Sequence, residues 1–440
     1  MILCLIAVSG VCLFAQSVGL EEVRTLALAN SRSLARYNLD IQSSILSEKS
    51  HIYTMLPSIT AGYSAAMSYL DRDWGLVNPI DTFNSGLDVS VTQIIFAGGK
   101  NFLQRAINGI ATESIRKSAL AEYFSVLDAV DNAYYAVLEA AATLTAEESS
   151  LQTALANLAM AEIRHANGMI NLGDYLRALA EKEARENARN QARRSLVLSR
   201  TRLRSLTGLA DTVELEDITF DAYEDVIQLL AGISDEEADA LYGRLWEILA
   251  AANPSLARAA LNNQRAQMNL SITKRDYAPV ISATIFSSGI GYAVDSGFGT
   301  SSGGGISIRG SIPLDFWVMN NRIERSRIAR DTSFLEYMST EINLETELQS
   351  ALLNIFAFAG SVVHSRLSLD YTERHFEFIN ERYRLLQSSM SDLNEASTLL
   401  INSRNNYIRA HYGFLQGLSR IRSLGAISDE GQLITLLMQN

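Results

Sequence analysis

The side chains that most often carry chemistry are few here, and their spacing points away from catalysis. His51, His165, His364, His375 and His411 form no HExxH pair and sit at no ligand spacing from a carboxylate, so no metal site is expected. Gly98-Gly99-Lys100 lacks the GxxxxGK[ST] pattern of a phosphate loop and reads as a turn from strand to helix. Cys4 and Cys12, the two cysteines, both lie in an apolar leader. The exported chain would therefore hold no disulfide, zinc-thiolate site or cysteine nucleophile. Cys12 is placed for lipid attachment, but Ser9-Gly10-Val11 before it lacks the aliphatic-then-small pattern that reaction needs. Arginines 185, 189, 193, 194, 200, 202 and 204 interleave with few aromatics and read as a solvated helix face. A net charge of -12 argues against nucleic acid as a partner. Neither catalytic residues nor a cofactor follow from this set.

The elements that position these residues are more informative. With 48% hydrophobic and 20% charged residues the chain is not generally disordered. Residues 1–15, MILCLIAVSGVCLFA, read as a signal peptide cut after Ala15, although no Lys or Arg precedes the apolar core. After residue 17 there is no apolar stretch of eighteen or more residues, so no transmembrane helix is expected and a membrane role would have to come from strands.

Self-comparison reveals a tandem duplication. RHANGMINLGDYLRA (164–178) aligns with RYRLLQSSMSDLNEA (382–396), and RTRLRSLTG (200–208) with LSRIRSLGA (418–426), at one offset of 218. Upstream, SLAR at 33–36 matches SLAR at 255–258. The repeats span 16–208 and 240–426, with an acidic connector at 209–239 and a tail at 427–440. The connector holds eleven Asp or Glu and no Lys or Arg, and reads as a solvated link with a short element packed outside the helices.

Each repeat has one plan. No proline falls between 80 and 253 or after 313, so nothing there must break a helix. Leu120, Tyr123, Phe124, Leu127, Val130, Tyr134, Val137, Leu138 and Ala141 follow three-and-four spacing. A helix over 97–165 would be about 100 Å long, too long for a compact domain. Before each long helix the period changes to two. ITAGYSAAMSY and GLDVSVT predict a strand pair near 58–96, and VISATIFSSGIGY and GISIRGSI a second near 280–314. Each strand is long enough for a tilted bilayer crossing, with one apolar and one small polar face. The polar segments joining each pair read as exposed loops. Phe96, Phe316, Trp317, Tyr63, Tyr69 and Phe83 fall where aromatic girdles would sit, with core packing as the alternative. Four strands cannot close a barrel alone, so several chains would have to contribute.

The duplicated unit, LPSITAGYS and APVISATIF before the strand pairs, QIIFAGGKN and IPLDFWVMNNR after them, and LRSLTG closing a half resemble the TolC-like outer membrane efflux proteins. The resemblance implies a mainly α fold with a membrane β-barrel portion. Each chain of a homotrimer would give four strands to a twelve-stranded outer membrane barrel, continued by a long periplasmic α-helical barrel. It implies a passive duct, not an enzyme, in outer membrane lipid. The duct would take substrates from an inner-membrane pump through a periplasmic adaptor protein, in tripartite efflux or type I secretion. Residues 164–174 and 382–392 would be the two hairpin tips. Gly168, Met169, Ile170, Leu386 and Gln387 would meet the adaptor, and Leu386 departs from the glycine common there. Asp392 and Glu395, with Asp174, match the positions that line the pore constriction, although Asp392 also fits a helix cap. Asp174 and Tyr383 match a hydrogen-bonded gate in which Ser388 replaces a basic partner. A periplasmic coiled-coil scaffold is the rival reading. It leaves the four strands and the duplication without a reason.

Overall fold

A computed structural model describes residues 17–68, 82–210, 213–293, 297–299 and 303–438. The expected leader with Cys4 and Cys12, residue Tyr69, most of the first strand-joining loop and much of the second lie outside the described residues, as does the side chain of Phe83. In chain order the elements are α1 (Leu20–Asn30), α2 (Arg32–Tyr53), β1 (Ser58–Ser68), β2 (Thr82–Ala97), α3 (Lys100–Ala166) and α4 (Leu172–Thr207). They continue with α5 (Glu224–Ala231), α6 (Asp235–Ala252), α7 (Pro254–Lys274), β3 (Val280–Ala293), β4 (Gly297–Gly299), β5 (Gly303–Ser311), α8 (Phe316–Arg384), α9 (Met390–Leu424) and α10 (Glu430–Met438). The chain is mostly helical with one small antiparallel sheet, and it divides into two compact units.

One unit comprises residues 37–118 and 255–340 and contains the sheet. β1 pairs with β2, β2 with β3, and β3 with β5, all antiparallel, while the short β4 pairs with the end of β3. The register lines up Ile59, Val91, Ile285 and Ile306 as one row across four strands. The next row is Ser58, Thr92, Thr284 and Ser307, in which the Thr92 and Thr284 hydroxyls are 3.1 Å apart. Because successive side chains alternate between faces, one face is apolar and the other carries small polar groups. The apolar face is bare: Ile59, Ile306 and Ile308 are each more than 70% exposed. At the strand-to-helix turn Arg275 donates to the Gly98 and Gly99 carbonyls, and Lys100 pairs with Asp276 at 2.6 Å.

The other unit comprises the described residues within 1–36, 119–254 and 341–440. Its core includes Tyr134, Leu348, Ile355, Phe414, Leu415 and Ile421, all under 2% exposed. At its centre Asp131 of α3 is fully buried and accepts hydrogen bonds from Arg24 of α1, at 2.7 and 2.9 Å, from Ser419 of α9, and from Arg422 of α9. Burial alone would lower the Arg24 pKa, but the hydrogen bond to Asp131 and its charge outweigh that cost and raise it. Against the expectation of none, α8 contains by mean hydropathy one 18-residue window apolar enough to cross a bilayer. Leu348, Leu352, Ile355, Ala359 and Val362 of that helix are buried in the unit core.

Within 209–239, Leu215 bridges to Val18, and the Tyr134 hydroxyl donates to the Glu216 carbonyl at 2.5 Å. The connector buries Val226, Ile227 and Leu230 of α5. SDEEAD is not a free acidic run. Ser234 and Glu237 form a reciprocal capping box that starts α6 at Asp235, and the acidic residues occupy its first turn, where the helix dipole favours them. The tail carries α10, whose Leu433 and Leu437 are buried.

Candidate functional site at the hairpin tips

Two helix reversals join α3 to α4 and α8 to α9. At the first, the Met169 amide donates to the Arg164 carbonyl at 2.8 Å and the Gly168 amide to the His165 carbonyl at 2.9 Å, with Gly168 at φ 71°. This double bond pattern closes a helix through a left-handed residue, a conformation glycine adopts without strain. Gly173 lies instead in the first turn of α4 and takes no part in the reversal. The second reversal repeats the geometry residue for residue. Gln387 donates to Arg382 at 2.8 Å and Leu386 to Tyr383 at 3.1 Å, but the left-handed position, φ 63°, is held by Leu386. A leucine there costs roughly 1–2 kcal/mol relative to its right-handed form.

The next helix starts in the same way at both tips. Asn171 accepts from the Asp174 amide at 2.8 Å, and Ser389 from the Asp392 amide at 3.2 Å. Asp392 also accepts from the Ser389 amide at 2.9 Å, completing a capping box, and this bond lowers the Asp392 pKa. Asp392 is therefore the capping-box partner of the N-cap Ser389 in the single chain, and its charge is left exposed alongside that of Glu395. Asp174 faces Arg177 at 3.9 Å.

The two tips share one apolar core of Leu158, Ala161, Ala178, Tyr383, Met390 and Leu393, drawn from all four helices. Arg164 binds across it. Its guanidinium lies 4.6 Å from the Tyr383 ring centre, with Nη1 2.9 Å from the Tyr383 carbonyl and Nη2 3.0 Å from that of Arg384. The expected gate bond among Asp174, Tyr383 and Ser388 is not made within the chain. Ser388 donates to the Ile379 carbonyl at 3.3 Å, closing its own turn, and the buried Tyr383 hydroxyl has no partner among the described residues. Of the residues expected to meet an adaptor, Gly168, Met169, Leu386 and Gln387 are exposed. Ile170 differs, because it packs partly against the shared core. Leu172 and Leu385, 57% and 64% exposed, extend the free apolar surface and were not singled out from the sequence. Arg164 was missed as well, and its identity with Arg382 at the repeat offset was the available signal. Among the described residues no group of three or more His, Cys, Asp or Glu side chains converges as a metal site would require.

A sheet with a bare apolar face and long helices reversing at matched tips define a membrane channel protein with a helical extramembrane part. The chain belongs to the outer membrane efflux protein family, whose model matches residues 23–209 and 245–425. No curated protein matches the sequence. Among solved structures, the Campylobacter jejuni CmeC outer membrane channel is 15% identical with a TM-score of 0.77, over 94% of this chain and 88% of that one. The Vibrio cholerae outer membrane protein VceC is 17% identical with a TM-score of 0.75, over 92% and 96%. The open state of the Neisseria gonorrhoeae MtrE outer membrane channel is 14% identical with a TM-score of 0.72, over 92% and 88%. As a family member the protein is an outer membrane efflux channel with a periplasmic helical portion, passive and not an enzyme, and it works with partners of the adaptor and pump kind.

Proposed function

We propose that three copies of this chain form one duct. Each gives β1, β2, β3 and β5 to a closed twelve-stranded barrel and its helices to a tube in the periplasm. The observation that carries this reading is the row Ile59, Val91, Ile285 and Ile306 on a sheet whose outer strands, β1 and β5, have no further neighbour among the described residues. An open sheet with a bare apolar face is stable neither in water nor in lipid, and closure with other copies in a bilayer removes both liabilities. The tube would meet its adaptor through Gly168, Met169, Leu386 and Gln387, with Ile170 serving the tip core as well. Asp392, Glu395 and Asp174 would line the constriction, and the unsatisfied Tyr383 hydroxyl would find its partner when the copies converge. Through this duct substrates of an inner-membrane pump pass to the outside, in tripartite efflux or type I secretion. The test is fractionation followed by planar-bilayer recording. An SDS-resistant trimer in the outer membrane that conducts ions supports the duct, and a soluble monomer or dimer without conductance overturns it.

A further inference from the structure

The two tips share their backbone hydrogen bonds, yet they are not equally satisfied. At the offset of 218, Arg164 corresponds to Arg382, His165 to Tyr383, Ala166 to Arg384, and Leu172 to Met390. Within the chain, Arg164 is half-buried and clamps the Tyr383 and Arg384 carbonyls, while Met390, 2% exposed, fills the seam beside them. Their counterparts make no such contact across the tips among the described residues. Arg382 is exposed, spending one donor on the Gln387 carbonyl of its own turn and resting 5.6 Å from the Phe378 ring centre. Leu172 is 57% exposed. The Arg384 carbonyl takes its bond from Arg164, whereas the Ala166 carbonyl takes none among the described residues. The last carbonyls of a helix need partners and carry the negative end of its dipole, which suits a guanidinium with five N–H donors.

In a ring of identical chains with two tips each, first and second tips alternate. Every first tip then faces its own second tip across one seam, and every second tip faces the first tip of the next copy across another. We propose that Arg382 is the clamp of that second seam. It donates to the His165 and Ala166 carbonyls of the neighbouring copy, whose Leu172 packs against Phe376 and Ile379 as Met390 packs against Leu158 and Ala161 within one chain. The seam between copies is thus a second instance of the seam within a copy. This inference rests on the ring of copies proposed above.

Cross-linking of the full chain in its native membrane with a short bis-maleimide tests it. The double variant Arg382→Cys with Ala166→Cys should give covalent dimers and trimers on a denaturing gel, and each single variant should not. Leu172→Cys with Ile379→Cys should give the same ladder by an independent route. Arg164→Cys with Arg384→Cys, spanning the inner seam, should cross-link without leaving the monomer size. If this last pair reacts and the unmodified protein has a trimeric mass in detergent, but both inter-copy pairs stay monomeric, the clamp is overturned and the duct stands. A monomeric mass for the unmodified protein would overturn the duct reading, and the clamp with it.

Discussion

Arg164 and Tyr383, 219 residues apart in sequence, are joined by a guanidinium over a ring at 4.6 Å and by a 2.9 Å hydrogen bond to the Tyr383 carbonyl. The pair fastens the first tip to the second, and the neighbouring bond to the Arg384 carbonyl caps the end of α8. Charge-assisted hydrogen bonds are worth about 1.5–3 kcal/mol when well made, and a partly exposed cation–π contact about 0.5–1 kcal/mol. Arg164→Ala should therefore lower the local opening free energy of the second tip by about 1–3 kcal/mol. Hydrogen exchange at the amides of 386–393 reads this directly. Arg164→Lys should restore less than half, because an ammonium cannot reach both carbonyls and lie flat on the ring.

Leu386 occupies a left-handed position that Gly168 holds in the first repeat, and Ala426, φ 50°, stands where Gly208, φ 76°, ends the first. At both places the second repeat puts a residue with a Cβ in the left-handed region where the first has a glycine. Leu386→Gly and Ala426→Gly should each stabilise the protein, by up to about 1 kcal/mol after the extra freedom of glycine in the unfolded chain is counted. Gly168→Leu should cost about 1–2 kcal/mol for the same reason. Thermal dissociation of the purified protein, compared across the three variants, checks the sign of each.

Asp131 is enclosed by Arg24 and Arg422 with no exposure of its own. Removing one member of a buried charge group leaves the others desolvated and unpaired, a loss of about 3–5 kcal/mol. Asp131→Ala should lose that much in chemical denaturation of the helical unit. Asp131→Asn should lose less, since an amide oxygen still accepts from one arginine.

The strands were legible because their alternation is local: Ile59, Ala61 and Tyr63 against Thr60, Gly62 and Ser64 needs no partner to be read. The tips were legible because the chain states them twice. Asp131 with Arg422 and Arg164 with Tyr383 were not, since each joins helices hundreds of residues apart and no spacing rule links them. The role of Asp392 was legible by half. Its cap follows from Ser389 three residues before it, whereas any line-up of its charge with those of other copies depends on chains the sequence describes only as identical.

That remaining half has its own test, and the cap supplies the sign. The Ser389 amide holds the Asp392 carboxyl below the ordinary range near ~3.9. Its contribution to the start of α9 is therefore present above the unfolded-state pKa and is lost as pH falls through the lower folded value. Crowding of the Asp392 and Glu395 carboxylates of three copies around a pore would oppose the effect of the cap on Asp392 and draw cations. Asp392→Asn separates the two roles. Its amide oxygen can still accept from the Ser389 amide, so the cap survives while the charge is gone. If the carboxylates line the constriction, Asp392→Asn and Glu395→Gln should each reduce the cation-over-anion permeability ratio on the order of a few-fold. Reversal potentials across a salt gradient in planar bilayers would measure this, with thermal stability little changed. A reversal potential that does not move in either variant would leave Asp392 as a cap alone.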